Sequence, residues 1–105
     1  MKESDWKIFK QIKERAIDLF CNQALEEFEE VMQNEKETAY NRYLILYNLI
    51  QERDKHMQLL FDGHSRSRAP LQLHAMRGKD LAEESLIDQL TEELRQSTAP
   101  EQHKR

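Results

Sequence analysis

Four glutamates lie within five positions of one another in this sequence and are the first candidates for chemistry: Glu26, Glu27, Glu29 and Glu30. Carboxylates on helices can hold a pair of iron ions when imidazoles join them, and the helical di-iron proteins use two Glu-x-x-His pairs for this purpose. The sequence contains no Glu-x-x-His, since Glu52 and His56 are four residues apart. We therefore interpret the glutamates as a solvated acidic surface and expect no metal site and no cofactor.

Cys21 is the only thiol, and so the only candidate for thiol catalysis. Its neighbours at helical spacing are Ile17, Ala24 and Leu25, which is typical of a buried and inert cysteine. Glycine occurs only at 63 and 78, which excludes both a glycine-rich phosphate loop and a glycine-flanked nucleophilic serine. A lone cysteine also excludes an intramolecular disulfide. We expect a protein that is not an enzyme and name no catalytic residue.

A basic segment, residues 63–79, contains no acidic residue and is the one part of the sequence that suggests an anionic ligand. Arginine matches the geometry of phosphate, and the neighbouring serines can add hydrogen bonds to phosphate oxygens. The chain has a formal net charge of −4, however, unlike typical nucleic-acid-binding domains. We favour docking of this segment on the glutamate-rich end of the first helix, or on a partner chain, over nucleic-acid binding. The candidate anion contacts are Arg66, Arg68, Arg77 and Lys79.

An apolar stripe recurs at steps of three and four residues between positions 40 and 61: Tyr40, Tyr43, Tyr47, Ile50, Asp54, Met57 and Phe61. This is the heptad pattern of a helix seam, and we interpret its tyrosines as seam aromatics rather than a platform for nucleobases. Asp54 is the one charged member of the stripe. It either forms a salt bridge near a helix crossing or makes a polar contact that sets the register of a dimer.

Two long helices must position these residues. The first is predicted over 5–33, with Ser4 as N-cap, because Phe9, Ile12, Ala16, Phe20, Ala24, Phe28 and Val31 form one apolar face. The second is predicted over 39–62, after a polar break in which Asn34 or Thr38 acts as a cap, and it ends at Gly63. A continuous helix bent near Gly63 and Pro70 is the alternative. Joined by a short loop, the two helices form an antiparallel hairpin.

Shorter elements follow. Pro70 is allowed in the first turn of a helix over 69–77, which Gly78 ends. Asp80 and Glu83 fit a capping box before a helix over 81–96, with a new start at Thr91 as an option. Residues 97–105 form a polar tail that we expect to be disordered. Residues 1–96 are thus predicted to be one helical domain.

Composition limits the class of protein. A chain of 105 residues is the size of one domain, and two Gly and two Pro are too few for a turn-rich β fold. No apolar run is long enough to span a membrane, and the N-terminus does not resemble a signal peptide. We expect an all-α, bundle-like cytoplasmic protein without membrane contact: a long antiparallel hairpin with one or two short C-terminal helices.

Each long helix has a wider apolar face than one partner helix covers. Either the short C-terminal helices cover the remainder within the chain, or two hairpins dimerise into a four-helix bundle, and we favour homodimerisation. The leading hypothesis is a non-catalytic protein–protein interaction or assembly module. The residues expected to carry assembly are Ile12, Phe20, Tyr43, Tyr47, Ile50, Asp54 and Met57. The alternative is an RNA- or ribosome-associated protein that binds through residues 64–79. The sequence does not identify a protein partner or a biological process.

Overall fold

In a computed structural model, the structure describes residues 1–100, and every regular element among them is an α-helix. The helices are α1 (Glu3–Gln33), α2 (Ala39–Phe61), α3 (Ala69–Gly78), α4 (Glu84–Ile87) and α5 (Glu92–Ser97). The radius of gyration is 16.9 Å, whereas a compact chain of this length has about 13 Å. The molecule is therefore elongated, and α1 and α2 form its long hairpin.

The hairpin is divided into two parts of different character. We call residues 21–57 the arm, and residues 1–20 together with 58–100 the body. Within the described chain, every buried residue except Ala24 lies in the body. The body thus has a closed core, and the arm is two helices that shield each other only in part.

The core of the body forms around the N-terminal half of α1. Phe9, Ile12 and Ala16, which the sequence predicts to be apolar-face residues, are almost completely buried. They pack with the C-terminal end of α2 and with the three short helices. The other core residues include Leu60, Phe61, Leu73, Met76, Leu81, Leu86, Ile87, Leu90 and Leu94.

Helix α1 begins one residue before the predicted cap. Lys2 occupies the N-cap position without a side-chain hydrogen bond, so Ser4 does not cap the helix. Thr38 does cap α2, because its hydroxyl accepts a hydrogen bond from the backbone N–H of Asn41 at 3.1 Å. Glycine at 63 has a φ of +81°, and α2 ends just before it. The chain therefore turns at this point, which rules out a helix continuing through Pro70.

The turn after α2 is tied to α1 by Lys13. The Lys13 ammonium donates a 2.6 Å hydrogen bond to the carbonyl oxygen of Gly63 and lies 3.5 Å from Oε1 of Gln72. Burial lowers the pKa of Lys13 from its ordinary value of 10.5, since the charged form loses hydration. A lysine therefore holds three elements together from within the body.

Helix α3 includes Gly78 as its last residue, one residue beyond the predicted range 69–77. Gly78 does not take the left-handed conformation that ends the helix; Asp80, two residues later, does so with a φ of 59°. The N–H of Leu81 donates to the carbonyl of Met76 at 2.8 Å, and that of Asp80 to Arg77 at 3.1 Å. This is a Schellman motif with an aspartate where glycine is usual. Asp80 therefore belongs to the C-terminal cap of α3, and the predicted capping box with Glu83 does not form.

Two helices, α4 and α5, replace the single helix predicted over 81–96. The break lies at Thr91, whose hydroxyl accepts from the N–H of Leu94 at 3.3 Å and so caps α5. The buried Asp5 carboxylate holds Thr91 in place, accepting from its N–H at 2.9 Å and from its hydroxyl at 2.7 Å. Leu86, Leu90 and Leu94 are buried in the core on either side of the break, and the Asp5–Thr91 hydrogen bonds join the start of α5 to α1.

Replacing Asp5 by alanine is expected to destabilise the protein by about 2 kcal/mol, because two hydrogen bonds to a buried carboxylate are lost and Thr91 is left without its partner. Urea unfolding followed by circular dichroism measures the change. Asp18→Ala, at an exposed carboxylate of the same helix, is the matched control and should change the free energy of unfolding by less than about 0.5 kcal/mol. Equal losses in the two variants would contradict the importance of the Asp5–Thr91 link.

The predicted polar tail begins later than expected. Ser97 belongs to α5, and Thr98 is 1% exposed. The Arg77 guanidinium donates to the hydroxyl of Thr98 at 3.0 Å and to the carbonyl of Arg95 at 2.7 Å. The rest of the predicted tail, 101–105, lies outside the described residues.

Candidate interaction surface

The two arm helices contact each other through α2 residues that the heptad prediction did not choose. Leu46, Leu49 and Arg53 are half-buried, whereas Tyr43 and Tyr47 are 66% and 54% exposed. The stripe predicted to face α1 is thus turned away from it, by roughly one residue's rotation about the α2 axis. Apolar residues cover more than one face of α2. Leu46 and Leu49 take the side that faces α1, and the tyrosines take a side on which their hydroxyls stay hydrated.

Arg53 links the arm helices electrostatically. Its guanidinium forms a two-pronged ion pair with Glu27, with Nε 2.6 Å from Oε1 and Nη2 2.9 Å from Oε2. A third nitrogen donates to Glu52 at 3.1 Å. Glu27 and Arg53 are thus held in the arm, and of the acidic cluster at 26–30 it is Glu27 that has an ionic partner in the described chain.

Acidification is expected to weaken the arm through Glu27. Hydrogen bonds from Arg53 hold the pKa of Glu27 below its ordinary value of 4.5, so the unfolded chain takes up this proton more readily than the folded chain. The ion pair therefore contributes fully above about pH 4.5, and its contribution is lost as the pH falls through the lower pKa of the folded state. The free energy of unfolding is measured at neutral and at acidic pH. Its decrease between the two should be smaller for Glu27→Gln than for the wild type.

Glu14→Gln is the matched control for this experiment, because Glu14 is exposed and belongs to none of the ion pairs in residues 1–100. Its pH dependence should follow that of the wild type. A Glu27→Gln protein that also followed the wild type would show that the Arg53 ion pair does not contribute to stability.

One broad side of the arm is apolar and open to solvent. We call it the arm face and define it by Cys21, Leu25, Phe28 and Met32 on α1 and by Tyr43, Tyr47, Ile50 and Met57 on α2, with Asp54 among them. A groove of about 310 Å³ runs along it between the helices, lined among others by Leu25, Phe28, Ile50 and Met57. Leu25 is 60% exposed, Met32 50% and Ile50 44%. Large apolar side chains are thus adjacent on one surface.

The structure separates the residues predicted to carry assembly. Tyr43, Tyr47, Ile50, Asp54 and Met57 share the arm face, since they follow one another at helical spacing along one side of α2. Ile12 has no exposed surface, because it lies in the core of the body. Phe20 packs edge-on against Phe61, with ring centroids 5.9 Å apart. Ile12 therefore stabilises the chain's own fold, whereas Phe20 packs against the core and also lines the groove of the arm face.

Asp54 has no ion pair within residues 1–100. Its neighbour Arg53 points to Glu27, and Oδ2 of Asp54 accepts one hydrogen bond, from Nε2 of Gln58 at 3.0 Å. Of the two interpretations made from the sequence, the salt bridge within the chain is therefore not formed.

Leu25 and Met32 belong to the arm face but were not among the predicted assembly residues. They are seven residues apart and share a heptad position, so they continue the apolar stripe of α1 on one side. Their spacing could have indicated this second half of the surface.

The four candidate anion contacts do not form one surface. Arg66 pairs with Glu3 and lies over the ring of Trp6, 5.4 Å from its centroid. Arg77 is directed towards the end of α5, as described above. Arg68 and Lys79 are exposed, but they lie at opposite ends of α3, which is about 15 Å long. The predicted docking of this segment on the glutamate-rich end of α1 is wrong, because its ionic contact is with Glu3 at the start of that helix.

Comparison of the chain with protein-family models, with curated proteins and with solved structures finds no match. Within residues 1–100, no three His, Cys, Asp or Glu side chains are arranged to hold a metal ion. None of the described helices combines the length and the apolar character needed to cross a bilayer. The arm face, with its large exposed apolar side chains, is the candidate functional surface.

Proposed function

We propose that this protein is a non-catalytic assembly module that forms a homodimer through the arm face. The observation that carries the proposal is the contrast between the two parts of the hairpin. The body buries its own core, whereas the arm leaves Leu25, Tyr43 and Tyr47 more than half exposed on one side. A second copy offers the same apolar surface, and a two-fold axis lets each surface cover the other.

The area of the arm face supports a dimer. A whole aromatic side chain covers about 150–250 Å², so Tyr43 and Tyr47 each present on the order of 100 Å². With Leu25, Met32 and Ile50 the face presents roughly 500 Å², as large as the largest apolar patches on monomeric proteins. Two such faces together bury roughly 1,000 Å² before any polar rim is counted, which is the lower limit for a specific interface.

The alternative function, RNA binding through residues 64–79, has less support. Arg66 already has a carboxylate partner and Arg77 holds α5, so Arg68 and Lys79 are left as separated cations. RNA affinity depends on several phosphate contacts made together, which this arrangement does not offer.

Sedimentation equilibrium at micromolar concentrations tests the proposal. We expect a species of twice the 12.6 kDa mass of the chain. A monomer throughout the concentration range would overturn the homodimer. A salt-dependent mobility shift with structured RNA, removed by Arg66→Ala/Arg68→Ala, would support the alternative instead.

A further inference from the structure

We propose that the two copies pair antiparallel along α2, so that the Tyr43 hydroxyl of each chain donates a hydrogen bond to the partner's Asp54. This inference rests on the proposed homodimer and specifies its alignment. The register then follows from an aspartate that has no ionic partner in its own chain.

The spacing of the stripe on α2 allows this alignment. The side chains on the arm face and its edge are Tyr40, Tyr43, Tyr47, Ile50, Asp54 and Met57, separated in turn by three, four, three, four and three residues. The order of these steps is the same from either end. When a second α2 is reversed about a point between Asn48 and Leu49, every member of the stripe meets another member. Tyr47 then faces the partner's Ile50, Tyr43 faces the partner's Asp54, and Tyr40 faces the partner's Met57.

Asp54 distinguishes the antiparallel from the parallel alignment. In a parallel pair with equal register, each Asp54 would face the partner's Asp54 within an apolar surface, and two like charges brought together in this way are unfavourable. In the antiparallel pair each carboxylate meets a phenol hydroxyl, which donates a charge-assisted hydrogen bond. Gln58 donates to Oδ2 of Asp54 within the described chain, which leaves Oδ1 to accept the hydrogen bond from the partner's Tyr43.

The dimensions of the arm fit the same arrangement. From Ala39 to Met57, α2 rises about 27 Å. Reversed pairing brings Lys36, at the arm tip, level with the partner's Phe61, where the body begins. The pairing segment of α2 ends at Met57, because Phe61, the next member of the stripe, is buried in the core of the body.

Cross-linking between two single-cysteine variants tests the alignment directly. In a Cys21→Ser background, one protein has Tyr43→Cys and the other has Asp54→Cys. A short bismaleimide should join the two when they are mixed and should join neither variant to itself, because identical positions are about 16 Å apart along the antiparallel axes. Self-linking of each variant would show a parallel pair and overturn the inference.

Charge reversal provides a second test that leaves the dimer reversible. Tyr43→Glu should raise the dissociation constant roughly tenfold or more, because each new carboxylate faces the partner's Asp54. Adding Asp54→Lys in the same chain should restore most of the affinity, since the antiparallel pair then brings Glu and Lys together. The matched control is Tyr43→Glu/Glu30→Lys, which has the same net charge and should not restore dimerisation. Glu30 is exposed, belongs to none of the ion pairs in residues 1–100, and lies on the side of α1 away from the arm face.

The two proposals fail in different ways. A wild-type protein that sediments as a monomer overturns the homodimer and this alignment with it. A wild-type dimer in which Asp54→Lys does not restore affinity, or restores no more than Glu30→Lys, overturns the antiparallel alignment and leaves the homodimer in place.

Discussion

Tyr47→Glu/Ile50→Glu is expected to sediment as a monomer under conditions in which the wild-type protein is a dimer. Both side chains lie near the centre of the arm face. In the proposed pair, Tyr47 of each chain faces Ile50 of the other, so this contact occurs twice. Burying carboxylates there without partners is costly, and central apolar residues contribute most to binding. We expect the dissociation constant to rise by about 100-fold or more, which corresponds to roughly 3 kcal/mol. Sedimentation equilibrium and the far-ultraviolet circular dichroism spectrum measure the mass and the helix content.

The matched control is Ile45→Glu/Leu59→Glu. Ile45 and Leu59 are apolar residues of the same helix, 44% and 79% exposed, and they lie on the side of α2 away from the arm face. This variant adds the same charge to the same helix and should remain a dimer. If the control dissociated and the arm-face variant remained a dimer, the interface would lie on the side of α2 away from the arm face, which would contradict the proposal.

Phe9→Ala is expected to remove most of the stability of the fold. Phe9 is 1% exposed and stacks on Trp6, with ring centroids 5.7 Å apart. Truncating a buried phenylalanine costs about 3–5 kcal/mol, whereas the whole free energy of unfolding of a small domain is about 5–15 kcal/mol. The cavity would open where α1 meets the three short helices, so the body should loosen as one unit. Urea unfolding, monitored by the fluorescence of Trp6, reports this change because Trp6 is the single tryptophan.

Leu59→Ala is the control for the core variant, because its side chain is 79% exposed. Its free energy of unfolding should stay within about 0.5 kcal/mol of the wild type. If Phe9→Ala behaved like Leu59→Ala, the core of the protein would have to lie outside the body, and the division into body and arm would be wrong.

Local signals in the sequence were sufficient to place the long helices. The first helix was predicted over 5–33 and is observed over Glu3–Gln33. The second was predicted over 39–62 and is observed over Ala39–Phe61. Thr38 and Gly63 act through their own backbone and side-chain chemistry, so their roles do not depend on distant residues. The apolar face of α1 was also visible, because Phe9 and Ile12 follow helical periodicity.

The distribution of burial could not be obtained in the same way. Both long helices have wide apolar faces, and periodicity alone does not say which stripe is covered by the same chain. Tyr43 fits a heptad as well as Leu46 does, and the choice depends on how α1, α2 and the body pack together. A new helix start at Thr91 was an option from the sequence and is observed, because Thr91 caps α5. Its link to Asp5, which is 86 residues away along the chain, was not predicted. Long-range contacts of this kind leave no local signal.

The candidate site was predictable in part. The side of α2 that bears Tyr43, Tyr47 and Ile50 was identified from spacing, although it was expected to face α1 as well as a partner. Arg66 and Arg77 were less predictable, because a run of cations looks the same in a sequence whether it is free or paired. Arg66 is paired by Glu3, and Arg77 is held by the C-terminal end of α5. Neither partner is close to its arginine along the chain.

Helix α1 passes without interruption from the closed core of the body into the thinly covered arm, which has a consequence for amide hydrogen exchange. Amides of α1 near Ile12 open only when the whole body unfolds, whereas those in residues 39–57 can open by local fraying of the hairpin. Association slows both groups, because an unfolded chain cannot pair and the native state is stabilised as protein concentration rises. Exchange in residues 39–57 should therefore remain faster than exchange near Ile12 at each protein concentration, and the concentration dependence of both rates would report self-association.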